Sequence, residues 1–335
     1  MAARHSPENS TRIMGDSLEN YLDTITFSDC TAHLPKLPRE SIHLCLSDIP
    51  YGINLADWDV LHNNTNSALL GQSPAQRGKS GFKRRGKPIN GWNAADRNIP
   101  KEYEAWCRRW TGMLFPLMKE GASVFIFGAR RTLHRAIVAF EDSGFLLRDI
   151  LAWEKSIAHH RAQSLENLVR HRGLDAEAEK WAGWKVGNLA PIWEPIAWFF
   201  KPYRRTILDN VLENEVGGIN VAECLVEGRS PTNVLRFDYE AGERLHETQK
   251  PLELIKYLIK LATREGQVVL DPFMGSGTTA LAAQELGRHF IGFEIHEEFC
   301  RVARERLCAR PLQDDGGRRP RSKREGNKSP VDDAL

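Results

Sequence analysis

The chain has 335 residues, 41% hydrophobic and 27% charged, with a formal net charge of +2. That is long enough for one large domain or two modest ones, and the composition is that of an ordinary soluble globular protein rather than a disordered or fibrous one. No apolar run approaches the roughly 18 residues of a membrane span. The opening MAARHSPENSTRIMGDSLEN lacks the apolar core of a secretory signal. The six cysteines are scattered without a CxxC pair, which indicates reduced thiols and argues against a disulfide frame or a zinc site.

Taken in chain order, short apolar runs at 24–28, 42–47, 122–128, 146–153, 194–200, 267–270 and 289–294 predict seven strands. Between them, 101–115, 131–142, 252–264, 278–286 and 297–309 carry the spacing of amphipathic helices. Pro100 suits a helix start, Pro116 ends or kinks the same helix, and Gly287 marks a C-terminal stop. The alternation predicts an α/β sheet covered on both faces. Residues 53–99 form a polar stretch longer than a connection needs, and 156–192 and 204–245 are rich in charged residues and tryptophan. These excursions read as binding surface. The basic stretch 77–91 is either a solvated loop or a contact for phosphates, and 310–330 reads as a basic disordered tail.

The sharpest local signal is VVLDPFMGSGTTALAAQELGRHFIGFEI. A strand runs into Asp271, then a glycine-rich turn, then a helix from Thr278, and Gly275-x-Gly277-x-x-Ala280 fits a dinucleotide fingerprint. Glu294 ends the next strand about 20 residues on, where an acid would hold ribose hydroxyls. A triphosphate-binding loop would need a lysine where Thr278 stands. Asp271 at the loop mouth would repel a pyrophosphate but suits a cationic ligand. S-adenosylmethionine, with its sulfonium, ammonium and ribose, is the cofactor this pattern indicates, and its carboxylate could meet the helix N-terminus.

At the end of another strand lies Ser47-Asp48-Ile49-Pro50-Tyr51-Gly52. Placed in the same sheet, it would face the cofactor, because ligands sit at the C-terminal edge of open α/β sheets. The exocyclic amine of a nucleobase is a poor nucleophile while its lone pair is delocalised into the ring. Asp48 and the carbonyl of Ile49 could accept its two N–H bonds and drive the nitrogen toward a tetrahedral form. Pro50 fixes the turn and Tyr51 stacks on a base swung out of the duplex.

On these residues the sequence resembles the β-type amino-DNA methyltransferases of bacterial or phage restriction–modification systems, which methylate adenine N6 or cytosine N4. The motif written D/S/N-P-P-Y/F/W in that family stands here as Asp48-Ile49-Pro50-Tyr51, with isoleucine for the first proline. The F-x-G-x-G loop is Phe273-Met274-Gly275-Ser276-Gly277, and His246-Glu247-Thr248-Gln249-Lys250-Pro251 resembles H-P-T-Q-K-P. The likeness covers about 21–55, 100–155 and 245–309.

The resemblance implies a permuted Rossmann-like sheet of seven strands with a target-recognition insertion. Its units would be an N-terminal extension (1–20), a catalytic half (21–155) with the basic loop 53–99, a target-recognition region (156–245), a cofactor half (246–309) and a basic tail (310–335). It implies a cofactor site of Asp29, Lys250, Asp271, Pro272, Phe273, Gly275, Ser276, Gly277, Thr278 and Glu294. Trp58 belongs either to a loop closing over the target base or to ordinary packing. For double-stranded DNA the candidates are Lys83, Arg84, Arg85, His160, Arg161, Arg204 and Arg205. No metal is expected, since the adjacent His159 and His160 lack a spaced partner. The aspartate-led motif leans to adenine N6; cytosine N4 stays open because Ser47 precedes Asp48. A nicotinamide oxidoreductase and an RNA or protein amino-methyltransferase are the more distant alternatives. A second copy of the chain and a cognate nuclease remain open as partners, in the cytoplasm of a bacterial or phage-infected cell.

Overall fold

A computed structural model describes residues 17–51, 99–156, 163–186, 189–239 and 249–309. The strands that build the sheet are β1 (Thr24–Phe27), β2 (Ile42–Asp48), β3 (Met118–Phe127), β4 (Leu146–Glu154), β7 (Trp193–Phe200), β8 (Val234–Arg236), β9 (Val268–Asp271) and β10 (His289–Glu294). A separate small hairpin pairs β5 (Gln163–Ser164) with β6 (Lys185–Val186). The helices are α1 (Ile99–Leu114), α2 (Leu133–Asp142), α3 (Leu165–Arg170), α4 (Asp175–Ala178), α5 (Ile207–Asn214), α6 (Leu252–Ala262), α7 (Thr278–Glu285) and α8 (Glu297–Ala309).

The sheet has eight strands in the order β1-β10-β9-β2-β3-β7-β4-β8. All neighbours are parallel except β7, which runs antiparallel to both β3 and β4. The seven strands predicted from sequence are all present, and the short β8 adds an eighth at the edge beside β4. No sequence signal marked it: three residues with one buried side chain, Leu235, carry no readable period.

Two apolar layers sandwich the sheet. On one face Tyr103, Cys107, Trp110 and Leu114 of α1 and Ala136, Ala139 and Phe140 of α2 pack over Cys45, Val124 and Ile126. On the other, Leu254, Ile255 and Leu258 of α6 and Ala280 and Ala283 of α7 cover Leu44, Leu46 and Phe125. Alternate residues of β2 therefore enter opposite cores, as expected of a central strand buried on both faces. A proline inside a strand normally forfeits a ladder bond; Pro195 is accommodated near the start of β7, opposite Ala152.

The topology fixes which side chains can meet. β2, β9 and β10 end on Asp48, Asp271 and Glu294 at one edge. Because β7 is reversed, it begins at that same edge, where Glu194 pairs with Trp153 near the end of β4. Four acids far apart in sequence thus gather on one rim.

The same geometry corrects the boundaries expected for the target-recognition region. β7 is part of the central sheet, so 156–245 is not one insertion. The first excursion leaves β4 and returns into β7 at the rim that carries Asp48. The second leaves β7 at the opposite rim, where Gly121 and Lys201 bond to each other's surroundings: Gly121 N donates to Lys201 O at 2.8 Å and Lys201 N to Ala122 O at 3.1 Å. It then packs back along the body. The buried Asn210 of α5 sits against Gly121, Asn220 N bonds Leu261 O, and the Cys224 thiol approaches Tyr257 O.

Candidate active site

At the rim of the strand ends lies a cavity of about 500 Å³. Its walls include the whole stretch 46–51, the loop Pro272–Ser276, Asp29, Gln249, Lys250, Glu294 and His296. Two motifs more than two hundred residues apart in sequence therefore face one space.

The glycine loop is held from both sides. Asp271 is buried; its Oδ1 accepts from Ser47 Oγ at 2.6 Å and from Phe273 N at 3.0 Å. Burial pushes its carboxyl up to about 6, with Ser47, Thr279 and the Phe273 amide opposing that rise. Glu294 accepts from Gly275 N at 2.8 Å and from His296 N at 2.9 Å, so it pins the loop as well as facing the cavity. Gly275 has φ +53, and a Cβ there would meet no protein atom within 4 Å, which leaves bare backbone at the cavity. Phe273 packs its ring on Trp106 and Trp110 of α1, with centroids 5.3 and 5.2 Å apart. From outside, Arg306 of α8 donates to Ser276 O at 2.6 Å and to Thr278 Oγ1 at 3.2 Å. Asp29 caps a short turn by accepting from Thr31 N and Oγ1, both at 2.8 Å, and Ser28 N donates to Glu294 O, which sets Asp29 beside the end of β10.

The second wall carries the turn after β2. Ile49 is 1% exposed and its amide donates to Phe127 O at 3.3 Å. A proline at this position could not make that bond, so the isoleucine anchors the turn by a different route. Tyr103 OH donates to Pro50 O at 2.9 Å and Thr132 Oγ1 to Tyr51 O at 3.0 Å. Asp48 Oδ2 accepts from the Lys250 ammonium at 2.5 Å, while Oδ1 is buried with no hydrogen-bond partner. Burial raises the Asp48 carboxyl above the ordinary aspartate range, and Lys250 works against that rise.

Lys250 was expected in the cofactor site. It does line the cavity, but its ammonium lies on Asp48, 3.3 Å from Tyr51 OH and 3.8 Å from Glu194 Oε2. Glu194 also pairs with Lys155. Sequence reading missed Glu194; an acid inside the apolar run WEPIAWFF was the available signal.

Arg204 and Arg205 are not brought to the site. They follow β7 at the opposite rim, where Arg204 pairs with Glu120 at 2.6 Å and Arg205 with Glu213 at 3.4 Å. Their placement does not support a role in DNA contact beside the target base. Trp58, Lys83, Arg84, Arg85, His160, Arg161 and residues 246–248 lie outside the described residues. Among the described residues no cluster of three or more His, Cys, Asp or Glu side chains is placed to hold a metal, and no helix is long and apolar enough to cross a membrane.

The cavity suits S-adenosylmethionine on its own chemistry. Its volume lies within the usual range for small-ligand sites, roughly 300–1,000 Å³. Three carboxylates (Asp29, Asp271 and Glu294) line the end built by the glycine loop and offer acceptors to a cationic, hydroxyl-bearing ligand. Of the lining cations, Lys250 is already matched by Asp48 and Glu194. Two lining residues, Trp110 and His296, hold a buried nitrogen without a hydrogen-bond partner.

Fold and site together define an S-adenosylmethionine-dependent methyltransferase. A family model described as DNA methylase (N6/N4) matches residues 42–305, and the chain belongs to that family. It is 48% identical over 294 residues to the Type II methyltransferase M.HindIII of Haemophilus influenzae, covering 85% of this chain and 95% of that one. M.HinfI, also of Haemophilus influenzae, is 25% identical over 300 residues, covering 88% and 71%. Among solved structures, the cytosine-N4-specific PvuII DNA methyltransferase shares the fold at a TM-score of 0.54 and 18% identity, covering 85% of this chain and 86% of that one. A DNA modification methylase of Thermus thermophilus, complexed with S-adenosyl-L-methionine, aligns at 0.50 and 19% identity, covering 85% and 93%. The chain is thus an S-adenosylmethionine-dependent DNA methyltransferase of the amino-methylating kind.

Proposed function

We propose that the chain methylates adenine N6 in a specific double-stranded DNA site, with the target base turned out of the duplex into the cavity. The observation that carries this reading is Asp48 Oδ1, a buried carboxylate oxygen without a partner at the end of β2. Bound S-adenosylmethionine supplies an electrophilic methyl group on a sulfonium. Asp48 Oδ1 accepts one N–H of the target amine and takes the proton released as the N–C bond forms. Pro50 and Ile49 hold the turn in place through Tyr103 OH and the Phe127 carbonyl. Tyr51 stacks on the base, a contact worth about 1–3 kcal/mol.

The serine that kept cytosine open in the sequence is 1% exposed, and its hydroxyl is given to Asp271. With Ser47 committed there, Asp48 is the group left to meet the amine, which supports the aspartate-led, adenine-type reading. Asp29, Asp271, Glu294 and the Phe273–Thr278 loop would hold the cofactor. The likeness to a Type II methyltransferase supports a companion nuclease of the same specificity, in the cytoplasm of a bacterial or phage-infected cell. Incubation of unmethylated DNA with labelled S-adenosylmethionine, followed by mass spectrometry of the nucleosides, tests the reading. N6-methyladenine is expected; N4-methylcytosine, or no label in DNA, would overturn it.

A further inference from the structure

Behind Asp48 runs a row of alternating charges that the reaction as described does not use. Lys250 Nζ touches Asp48 Oδ2 at 2.5 Å and lies 3.8 Å from Glu194 Oε2. The other oxygen of Glu194, Oε1, is taken by Lys155. The row is held by rigid parts. Glu194 sits in β7 opposite Trp153 of β4, and Lys155 N donates to Ile192 O at 2.8 Å. Arg130 Nη1 donates to Trp193 O at 2.8 Å on the adjoining residue. Lys250 is 6% exposed, so its charge is answered by these acids rather than by water.

An ammonium has several donors and, facing a lone carboxylate, tends to engage both oxygens. Here a second acid stands on the far side of Lys250, and Asp48 Oδ1 is left without a partner. We propose that Glu194, itself held by Lys155, is a positioning residue: it keeps the Lys250 ammonium on one oxygen of Asp48 and so leaves the other for the target amine. The inference rests on the reading of Asp48 as the amine acceptor and adds two residues, Glu194 and Lys155, to its support.

The arrangement has a pH signature. Asp48 is faced by Lys250 from the segment before α6, by Glu194 from β7, by Tyr51 from its own turn and by Asp271 from β9. Glu194 is faced by Lys250, Lys155, Arg130, Asp48 and Tyr51. The negative charge of Glu194 raises the Asp48 carboxyl, and Asp48 must be ionised to accept the amine. Burial would raise Glu194 itself, but Lys250 and Lys155 outweigh it and hold it below the ordinary glutamate range.

In Glu194→Gln the ammonium has Asp48 as its remaining close anion. The kcat plateau should fall about 10–100-fold, the scale of a small misplacement of a catalytic group. The acid limb of the kcat–pH profile should move to lower pH, while cofactor affinity measured by calorimetry stays as in the wild type. In Lys155→Met, Glu194 loses a cation and titrates at higher pH; that variant should behave like Glu194→Gln in acid and approach wild type as pH rises. A wild-type profile for Glu194→Gln overturns the inference. So does a lower plateau with an unmoved acid limb, which a merely structural role would give. If Glu194→Gln does not fold, Lys155→Met decides, and a wild-type acid limb there overturns the proposal. Asp48→Asn separates the two layers. Methylation by Asp48→Asn would sink the amine-acceptor reading, whereas an inactive Asp48→Asn beside a wild-type-like Glu194→Gln would sink only the role given to Glu194.

Discussion

The three acids that end β2, β9 and β10 are held by different partners, and this makes them different groups. Asp48 meets an ammonium, Asp271 a hydroxyl and an amide, and Glu294 two backbone amides. Asp271 has the plainest consequence for stability. Its carboxyl stands at about 6 in the folded protein against an ordinary value of 3.8, with burial as the first cause. A raised folded value means that the folded state binds the proton more tightly. This group's contribution is therefore fully present below 3.8 and is lost as pH rises through about 6. Asp271→Asn removes that dependence. Between pH 7 and pH 5 the stability difference between wild type and Asp271→Asn, from urea midpoints, should move toward wild type by about 1 kcal/mol. An equal difference at both pH values would refute the assignment. At this scale the sequence named Asp48, Asp271 and Glu294 because each is an acid at the end of an apolar run. It did not name Glu194, whose neighbours are all distant along the chain.

Among the elements, the glycine loop and α7 depend most on local geometry. Gly277 caps α7 with φ +83, and a Cβ there would stand 2.6 Å from Ala303 Cβ and 3.0 Å from its Cα. The close approach to α8 is what lets Arg306 reach Ser276 and Thr278. Gly277→Ala should lower stability by about 1–3 kcal/mol through backbone strain alone, with the clash adding to it. Thermal unfolding is the check, and an unchanged Tm would show that α8 gives way freely. The elements with clear periods, α1, α2, α6, α7 and α8 and seven strands, were legible from the sequence. α5 was not, although Asn210 is buried on it, because Ile207, Leu208 and Leu212 stay exposed and blur its pattern. Two-residue strands such as β5 and β6 are too short to carry any pattern.

For the whole molecule, the reversed strand β7 decides which surface can meet DNA. It sends the 155–192 excursion out beside Asp48 and the 201–233 excursion out at the far rim. Lys185 on β6 is exposed in the first, and Arg204 and Arg205 are ion-paired in the second. Lys185→Ala should weaken DNA binding and lower the salt slope of its affinity by about one, as expected for a lost phosphate contact. Arg204→Ala with Arg205→Ala should leave both as they are. Titrations at several salt concentrations test the pair, and the opposite ranking would place DNA on the wrong rim.

The sequence by itself determined the fold class, the two motifs and the chemistry they serve. Apolar periods, a glycine turn and acids at strand ends are local properties of the chain. Only the tertiary structure decided that Lys250 lies on Asp48, that Ser47 is spent on Asp271, that Glu194 stands behind them, and that Arg204 and Arg205 point elsewhere. These facts depend on strand order and on the direction of β7, which set distances between residues that no local pattern connects.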